Sequence, residues 1–275
     1  MNDDGNGNPV YDEDAFNAYK DAVNSIDSGL SKDLTKNEQS TVDAATGNLE
    51  SLKNELESKK YYTVTFKDAN GNVLDTQRCL YGTVFGTITA PEIPVNTEDT
   101  AYFGWYLEDG TSIAADSTVT GDFNAVIFAE AKRLVPTEGS NITIDGVNNL
   151  IAGVDAGTSV SEILGKFEND ETVVEIKSYT GELLAGADLV GSGSTITLKS
   201  KFTGEVYETK TFIILGDVDG DGDIDNDDYL KSVNVGLDLE TYSEEQYYFF
   251  IANDIDEDGV IDVIDTSLIR RMMKK

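Results

Sequence analysis

Phe16, Tyr19, Ala22, Val23 and Ile26 recur at helical spacing and predict a helix from Asp12 to about Ile26, which Asp27-Ser28-Gly29 should end. A second helix is expected to start at Thr35. It carries Gln39, Val42, Ala45, Leu49, Leu52 and Leu56 on one side and finishes at Lys59-Lys60, basic residues suited to a helix C-terminus. The period then changes to two. Tyr61-Tyr-Thr-Val-Thr-Phe66 alternates, Asn70-Gly71 predicts a hairpin turn, and Val73 to Leu80 forms the returning strand. Later strands are expected at Phe103–Tyr106 and Ala125–Phe128. Beyond Leu134 the pattern predicts strands at Asn141–Ile144 and around Ile151. A helix capped by Ser159-x-x-Glu162 follows, running through Ile163, Leu164 and Phe167, and then strands at Val173–Ile176, Thr195–Leu198 and Glu205–Leu215. The fold class is a multidomain α+β mosaic. Its expected segments are a disordered polar tail (1–10), a helical hairpin (11–60), a β module (61–133), a second small β-rich module with one helix (134–215) and an α-helical C-terminal module (216–275).

The last segment contains two acidic loops of one pattern, D-V-D-G-D-G-D-I-D-N-D-D from Asp217 and D-I-D-E-D-G-V-I-D-V-I-D from Asp254. Both fit a twelve-residue calcium loop, with Asp in place of Glu at the last position. Asp217, Asp219 and Asp221, and in the second loop Asp254, Asp256 and Asp258, stand at alternate early positions from which carboxylates converge on one hard cation. Gly222 and Gly259 supply the sharp turn. Asp223 and Val260 offer backbone carbonyls, Asp225 and Asp262 ligate directly or through water, and Asp228 and Asp265 close the shell. So many carboxylates repel one another unless a cation joins them, and two Ca²⁺ are expected. Ile224 and Ile261, at matching places, are expected to pair the two loops.

Thr211-Phe212-Ile213-Ile214-Leu215 reads as a strand and leaves no room for a helix before the first loop, as an EF-hand would need. Before the second loop Ser243 and Gln246 form a capping box for Tyr247 to Ala252.

Composition narrows the chemistry. A formal charge of −32 argues against nucleic acid and anionic membranes as partners. No apolar run is long enough for membrane insertion. No secretory signal is visible at Met1-Asn-Asp-Asp, so the chain is expected to be trimmed or part of a longer precursor of secreted, cell-surface character. There is no histidine, which removes Ser-His-Asp and Cys-His catalysis and His-ligated zinc. Carboxylate pairs of the glycosidase kind remain, but 52 acidic residues single out no pair. No catalytic residue is assigned and no enzymatic activity is expected. Cys79 is expected to be a buried strand residue, and Trp105 and Tyr106 to serve aromatic core or strand pairing rather than a sugar platform.

A duplicated loop with only an exiting helix resembles a dockerin module. The likeness runs from Gly216 to Met273 through G-D-V-D-G-D-G, S-E-E-Q with I-A-N-D-I-D-E-D-G, and D-T-S-L-I-R-R-M-M. It implies a calcium-dependent plug that binds a cohesin domain of a scaffoldin and recruits its owner to a cellulosome-like complex. The family's recognition positions fall here on Asn226-Asp227 and Val233-Asn234 in the first repeat, and on Val263, Ile264, Arg270 and Arg271 in the second. The second set is expected to lead; the alternative is that Val263 and Ile264 pack inward and the arginines merely cap a helix. Lys231-Ser232 departs from the family, where apolar residues are usual.

The remaining segments carry looser likenesses. Strand, Asn-Gly turn, Tyr81-Gly82, Tyr102-Phe-Gly-Trp105 and closing strand resemble the internalin B-repeat, which implies a β-grasp-like fold. L-T-K-N-E-Q-S-T-V-D-A-A-T resembles part of a FIVAR helical spacer. G-S-G-S-T-I-T-L, running to I-I-L-G-D-V-D-G-D-G, is similar to β modules fused ahead of dockerins. With almost no linker before Asp217, the last two segments are expected to pack together. The functional expectation is a non-catalytic extracellular protein tethered through a cohesin. The alternatives are a surface adhesin or glycan-binding protein, or the C-terminal appendage of a glycoside hydrolase.

Overall fold

The structure of the protein, a computed structural model, describes residues 2–29 and 38–273. It is of α+β class, with helices and two mixed sheets. The chain divides into two compact units, Met1–Asn96 with Tyr102–Ala129, and Thr97–Ala101 with Glu130–Lys275. The segment boundaries expected at 60/61 and 215/216 therefore fall inside units.

In the first unit, helices α1 (Glu13–Gly29) and α2 (Gln39–Ser58) pack on each other. Helix α1 runs through Asp27-Ser28-Gly29 instead of stopping before it. The start expected for α2 at Thr35 lies outside the described residues. Residues 2–10, expected as a disordered tail, are tied down. The Asn2 side chain donates to Tyr11 O at 2.8 Å and accepts from Tyr11 N at 2.7 Å, Tyr61 N–H donates to Val10 O, and Arg78 donates to Pro9 O. These backbone groups find partners that a polar composition does not reveal.

Four strands follow, β1 (Tyr61–Lys67), β2 (Val73–Leu80), β3 (Thr100–Tyr106) and β4 (Phe123–Ala131), in sheet order β2-β1-β4-β3. The β1–β2 hairpin is antiparallel with Tyr61 opposite Leu80, and β1 pairs β4 in parallel. Its turn is closed by Asp68, which accepts from the N–H groups of Asn70 and Asn72, with Gly71 at φ +83°. The inward positions of the alternation, Val64 and Phe66, meet Phe85, Val119, Ala125 and Ile127 in the core. Trp105 lies in this core with its ring edge-on to Phe66 at 4.9 Å, and Tyr106 is edge-on to Phe128 at 5.1 Å. Cys79 is buried as expected.

The second unit holds β5 (Thr143–Asp145), β6 (Leu150–Ala152), α3 (Val160–Leu164), β7 (Val174–Lys177), β8 (Leu183–Leu184), β9 (Thr195–Lys199) and β10 (Val206–Phe212). The sheet order is β5-β6-β10-β9-β7-β8, with β10 parallel to β6. Helix α3 starts at the predicted box, where Ser159 N–H donates to Glu162 Oε2 at 2.8 Å, and it ends before Phe167. Ile151, Ile163, Phe167, Ile196, Leu198 and Phe212 make the core. Strand β10 stops at Phe212, short of Leu215. The next residues are held singly, Ile213 N–H by Ile151 O and Ile214 N–H by Ser192 Oγ, and deliver the chain to Gly216 at φ +94°.

The same unit continues into α4 (Asn226–Gly236), α5 (Tyr247–Asn253) and α6 (Val263–Met272). Helices α4 and α6 pack together and run antiparallel. Gly236, ending α4, lies against Ile261 and Asp262, while Met272, ending α6, lies against Gly216. The two acidic loops are thereby at opposite ends of the helix pair. Ile224 and Ile261 do not pair the loops: Ile224 sits with Gly216 near Met272, and Ile261 sits against the end of α4. The expectation came from loops placed side by side, and here the repeats are head to tail. Among the described residues no helix is long and apolar enough to cross a membrane.

Candidate metal centre

Each acidic loop is built around its final aspartate. Asp228 Oδ1 accepts from Val218 N–H at 2.8 Å and Asp219 N–H at 3.3 Å, and its Oδ2 accepts from Asp225 N–H at 2.8 Å. Asp265 repeats this with Ile255 at 2.8 Å, Asp256 at 3.4 Å and Asp262 at 2.9 Å. Asp225 and Asp262 are the N-caps of α4 and α6. Their side chains accept from Asp227 N–H at 2.7 Å and Ile264 N–H at 2.6 Å, and Asp228 and Asp265 close a capping box with them. The loop's last residues are thus also the helix's first turn, where the macrodipole favours carboxylates. Gly222 and Gly259 sit at φ +94° and +85°. Two residues before them a second left-handed position recurs, Gly220 at +86° and Glu257 at +61°, which the sequence did not disclose in the second loop.

One carboxylate oxygen from each of Asp217, Asp219 and Asp228 lies within 4.8 Å of the others, and the same holds for Asp223, Asp225 and Asp228, and for Asp254, Asp256 and Asp258. These groups can hold a metal ion: all-oxygen donors on a tight turn suit a hard cation. Asp223, expected to act through its carbonyl, brings its side chain into a group as well. Asp221 stands outside the groups; its Oδ1 accepts from Asp223 N–H at 3.0 Å, as Asp258 Oδ1 accepts from Val260 N–H at 2.9 Å. Val260 is exposed. Asp262 and Asp265 serve their loop through the backbone bonds above.

The first loop is the more buried. Asp217 and Asp228 are fully enclosed. Burial pushes the Asp217 carboxyl up to about 7 against the backbone donors that favour its anion, with the charges of Asp228 and Asp219 adding to the rise. Burial likewise pushes Asp228 up to about 6. Asp219 is raised by burial and then by Asp221, and Asp223 by burial and then by Asp221, Asp225 and Asp219. In the second loop Asp256 is raised by burial and the carboxylates beside it. Enclosed anions of one sign are the environment a divalent cation relieves.

Val263 and Ile264 are exposed at 74% and 48%, so they do not pack inward. Arg270 and Arg271 are exposed, and Arg270 lies over the Tyr229 ring at 5.7 Å. Asn226 and Asp227 are exposed, and Val233 and Asn234 half-buried. Ser232 has a physical reason to be polar. It is buried, its hydroxyl donates to Asn253 Oδ1 at 2.6 Å, and Asn253 Nδ2 donates to Tyr242 OH at 3.1 Å. Lys231 lies over the Phe249 ring at 4.8 Å. Sequence reading missed this Ser232–Asn253–Tyr242 chain and also Ser192, whose N–H donates to Asp217. Both are long-range, and the only local sign was the polar residue at 232. No protein-family model and no curated protein matches this chain.

Proposed function

We propose that residues 216–275 form a dockerin-type module that binds two Ca²⁺ and docks its owner, non-catalytically, onto a cohesin of a scaffoldin. The observation that carries this reading is the duplicated loop itself. Each copy ends in a carboxylate that closes the loop and caps an exiting helix, and the chain enters the first copy from the end of β10 rather than from a helix. Two head-to-tail repeats with cation loops at opposite ends suit a docking plug better than a calcium sensor, whose paired loops lie side by side.

The first site would be held by Asp217, Asp219, Asp223, Asp225 and Asp228, and the second by Asp254, Asp256 and Asp258 with support from Asp262 and Asp265. Bound calcium supplies the positive charge these carboxylates lack. The residues themselves fix the turn and set the start of each helix. The sheet order of the first unit supports the β-grasp-like reading of residues 61–133. The glycan-binding alternative loses force, because Trp105 is core and Tyr106 is paired with Phe128.

Binding of the full chain to a panel of immobilised cohesins, with calcium and with EDTA, tests the reading. Capture by at least one cohesin, abolished by EDTA, is expected. Capture that EDTA does not affect, or saturable glycan binding in its place, would reject it.

A further inference from the structure

The two loops differ in what holds their first carboxylate. In the second loop Asp254 takes its donors from the loop itself, Asp258 N–H at 3.1 Å and Gly259 N–H at 3.0 Å. In the first, Asp217 Oδ1 accepts from Gly220 N–H at 2.7 Å, but Oδ2 accepts from Ser192 N–H at 2.7 Å, a donor from the turn before β9. Ser192 is buried and fixed in turn. Its hydroxyl donates to Ile214 O at 3.1 Å and accepts from Ile214 N–H at 3.0 Å. Gly157 N–H donates to Gly222 O at 2.7 Å.

The backbones also touch. A Cβ on Gly191 would sit 2.2 Å from Gly220 O, one on Gly220 would sit 2.8 Å from Ser192 O, and one on Gly222 would sit 2.8 Å from Leu189 Cβ. A Cβ on Gly259, the counterpart of Gly222, would meet nothing within 4 Å. Glycine is what permits this approach on the first loop, whereas on the second Gly259 answers only to its own φ of +85° and to no neighbouring segment.

We propose that residues 189–193 of the β-rich segment are a built-in part of the first cation site. Ser192 is a positioning residue that orients Asp217, so that cation occupancy of the first loop and stability of the β9–β10 sheet are coupled, while the second loop fills independently. A short N–H bond to a carboxylate is strong and directional, and a ligand held in place beforehand loses little freedom on binding. Coupling of this kind is reciprocal: what the sheet gives to the cation site, the cation returns to the sheet. The inference rests on the reading of both loops as calcium sites.

The test uses the full chain and calcium. Asp256→Ala/Asp258→Ala leaves only the first loop able to bind, and Asp219→Ala/Asp221→Ala only the second. Amide exchange of Thr195–Lys199 and Val206–Phe212 should slow at least tenfold on calcium addition to the first variant and stay unchanged in the second. Gly191→Ala should weaken one of the two calcium-binding events at least tenfold and spare the other, because its methyl collides with Gly220 rather than with the β core. Equal protection by either loop, or Gly191→Ala leaving both affinities within twofold, overturns the coupling while leaving the sites standing. Absence of calcium binding in the unmodified chain overturns both. Should Gly191→Ala fail to fold, the exchange comparison of the two loop variants decides alone.

Discussion

Asp228 and Asp265 occupy equivalent places in loops at opposite ends of one helix pair, and each carboxylate accepts the same three backbone N–H groups, from the second, third and ninth residues of its loop. Each of these residues therefore carries the shape of its loop and the start of a helix, and Asp228 also joins the carboxylate groups that can hold a metal ion.

Asp228→Ala and Asp265→Ala should each cost about 2–4 kcal/mol, since buried donors lose their acceptor and a capping arm is lost. Asp228→Asn keeps one acceptor oxygen for Val218 and Asp219, sets an NH2 against Asp225 N–H and sheds the buried charge. It should abolish calcium binding at the first loop while costing the calcium-free protein less than Asp228→Ala does. Denaturant midpoints with and without calcium separate the two effects, and equal losses for Asn and Ala would refute this division of labour.

The raised Asp217 and Asp228 set a pH window. With pKa values of about 7 and about 6 in the folded state against an ordinary 3.8, the calcium-free native protein binds more protons than the unfolded chain between about pH 4 and 7. These groups therefore contribute stability below that window, and it is lost as pH rises through it. Calcium requires the anions, so its affinity at the first loop should fall as pH drops from 7.5 to 5.5, and binding near pH 6.5 should release protons. Calorimetry in buffers of different ionisation heat measures this; pH-independent binding without proton release would contradict it.

Ser232→Ala removes the donor to buried Asn253 Oδ1 and should cost about 1–3 kcal/mol in saturating calcium. Ser232→Cys, of similar size but a weaker donor, should fall between. A urea midpoint unchanged in Ser232→Ala would show that this bond carries no stability.

If the second repeat leads docking, Ile264→Asp or Arg270→Ala/Arg271→Ala should weaken cohesin binding by roughly 2 kcal/mol or more, while Asn226→Ala/Asp227→Ala changes it little. Val263 and Ile264 are exposed in the first turn of α6 and Arg270 and Arg271 in its last, about 10 Å along the helix, so one helix offers an apolar anchor and separate guanidinium donors. Surface plasmon resonance on a cohesin that captures the chain ranks them; greater loss from the first-repeat pair would move the docking face.

Elements with a strong local signature were legible in the sequence. The Tyr61–Phe66 alternation with Asn70-Gly71, the Ser159–Glu162 box and both acidic loops each depend on neighbours within a dozen residues. What was hidden is long-range. Nothing in Pro9 announces that the tail is bonded to Arg78, 69 residues later. The pairing of Ile224 with Ile261 failed because equal loop positions do not say whether repeats lie side by side or head to tail. Ser232 looked like a departure only because its partner Asn253 comes 21 residues later. The donor from Ser192 to Asp217 joins residues 25 apart, across the boundary drawn between the β-rich and helical segments.

The most direct measurement is a calorimetric calcium titration of the metal-stripped full chain alongside Asp219→Ala/Asp221→Ala and Asp256→Ala/Asp258→Ala. Two calcium ions per chain are expected, falling to one in either double variant, with thermal unfolding of the helical segment 216–273 shifted upward by calcium in each variant that keeps a site. No binding heat, or a stoichiometry indifferent to both double variants, would contradict the assignment of the two loops.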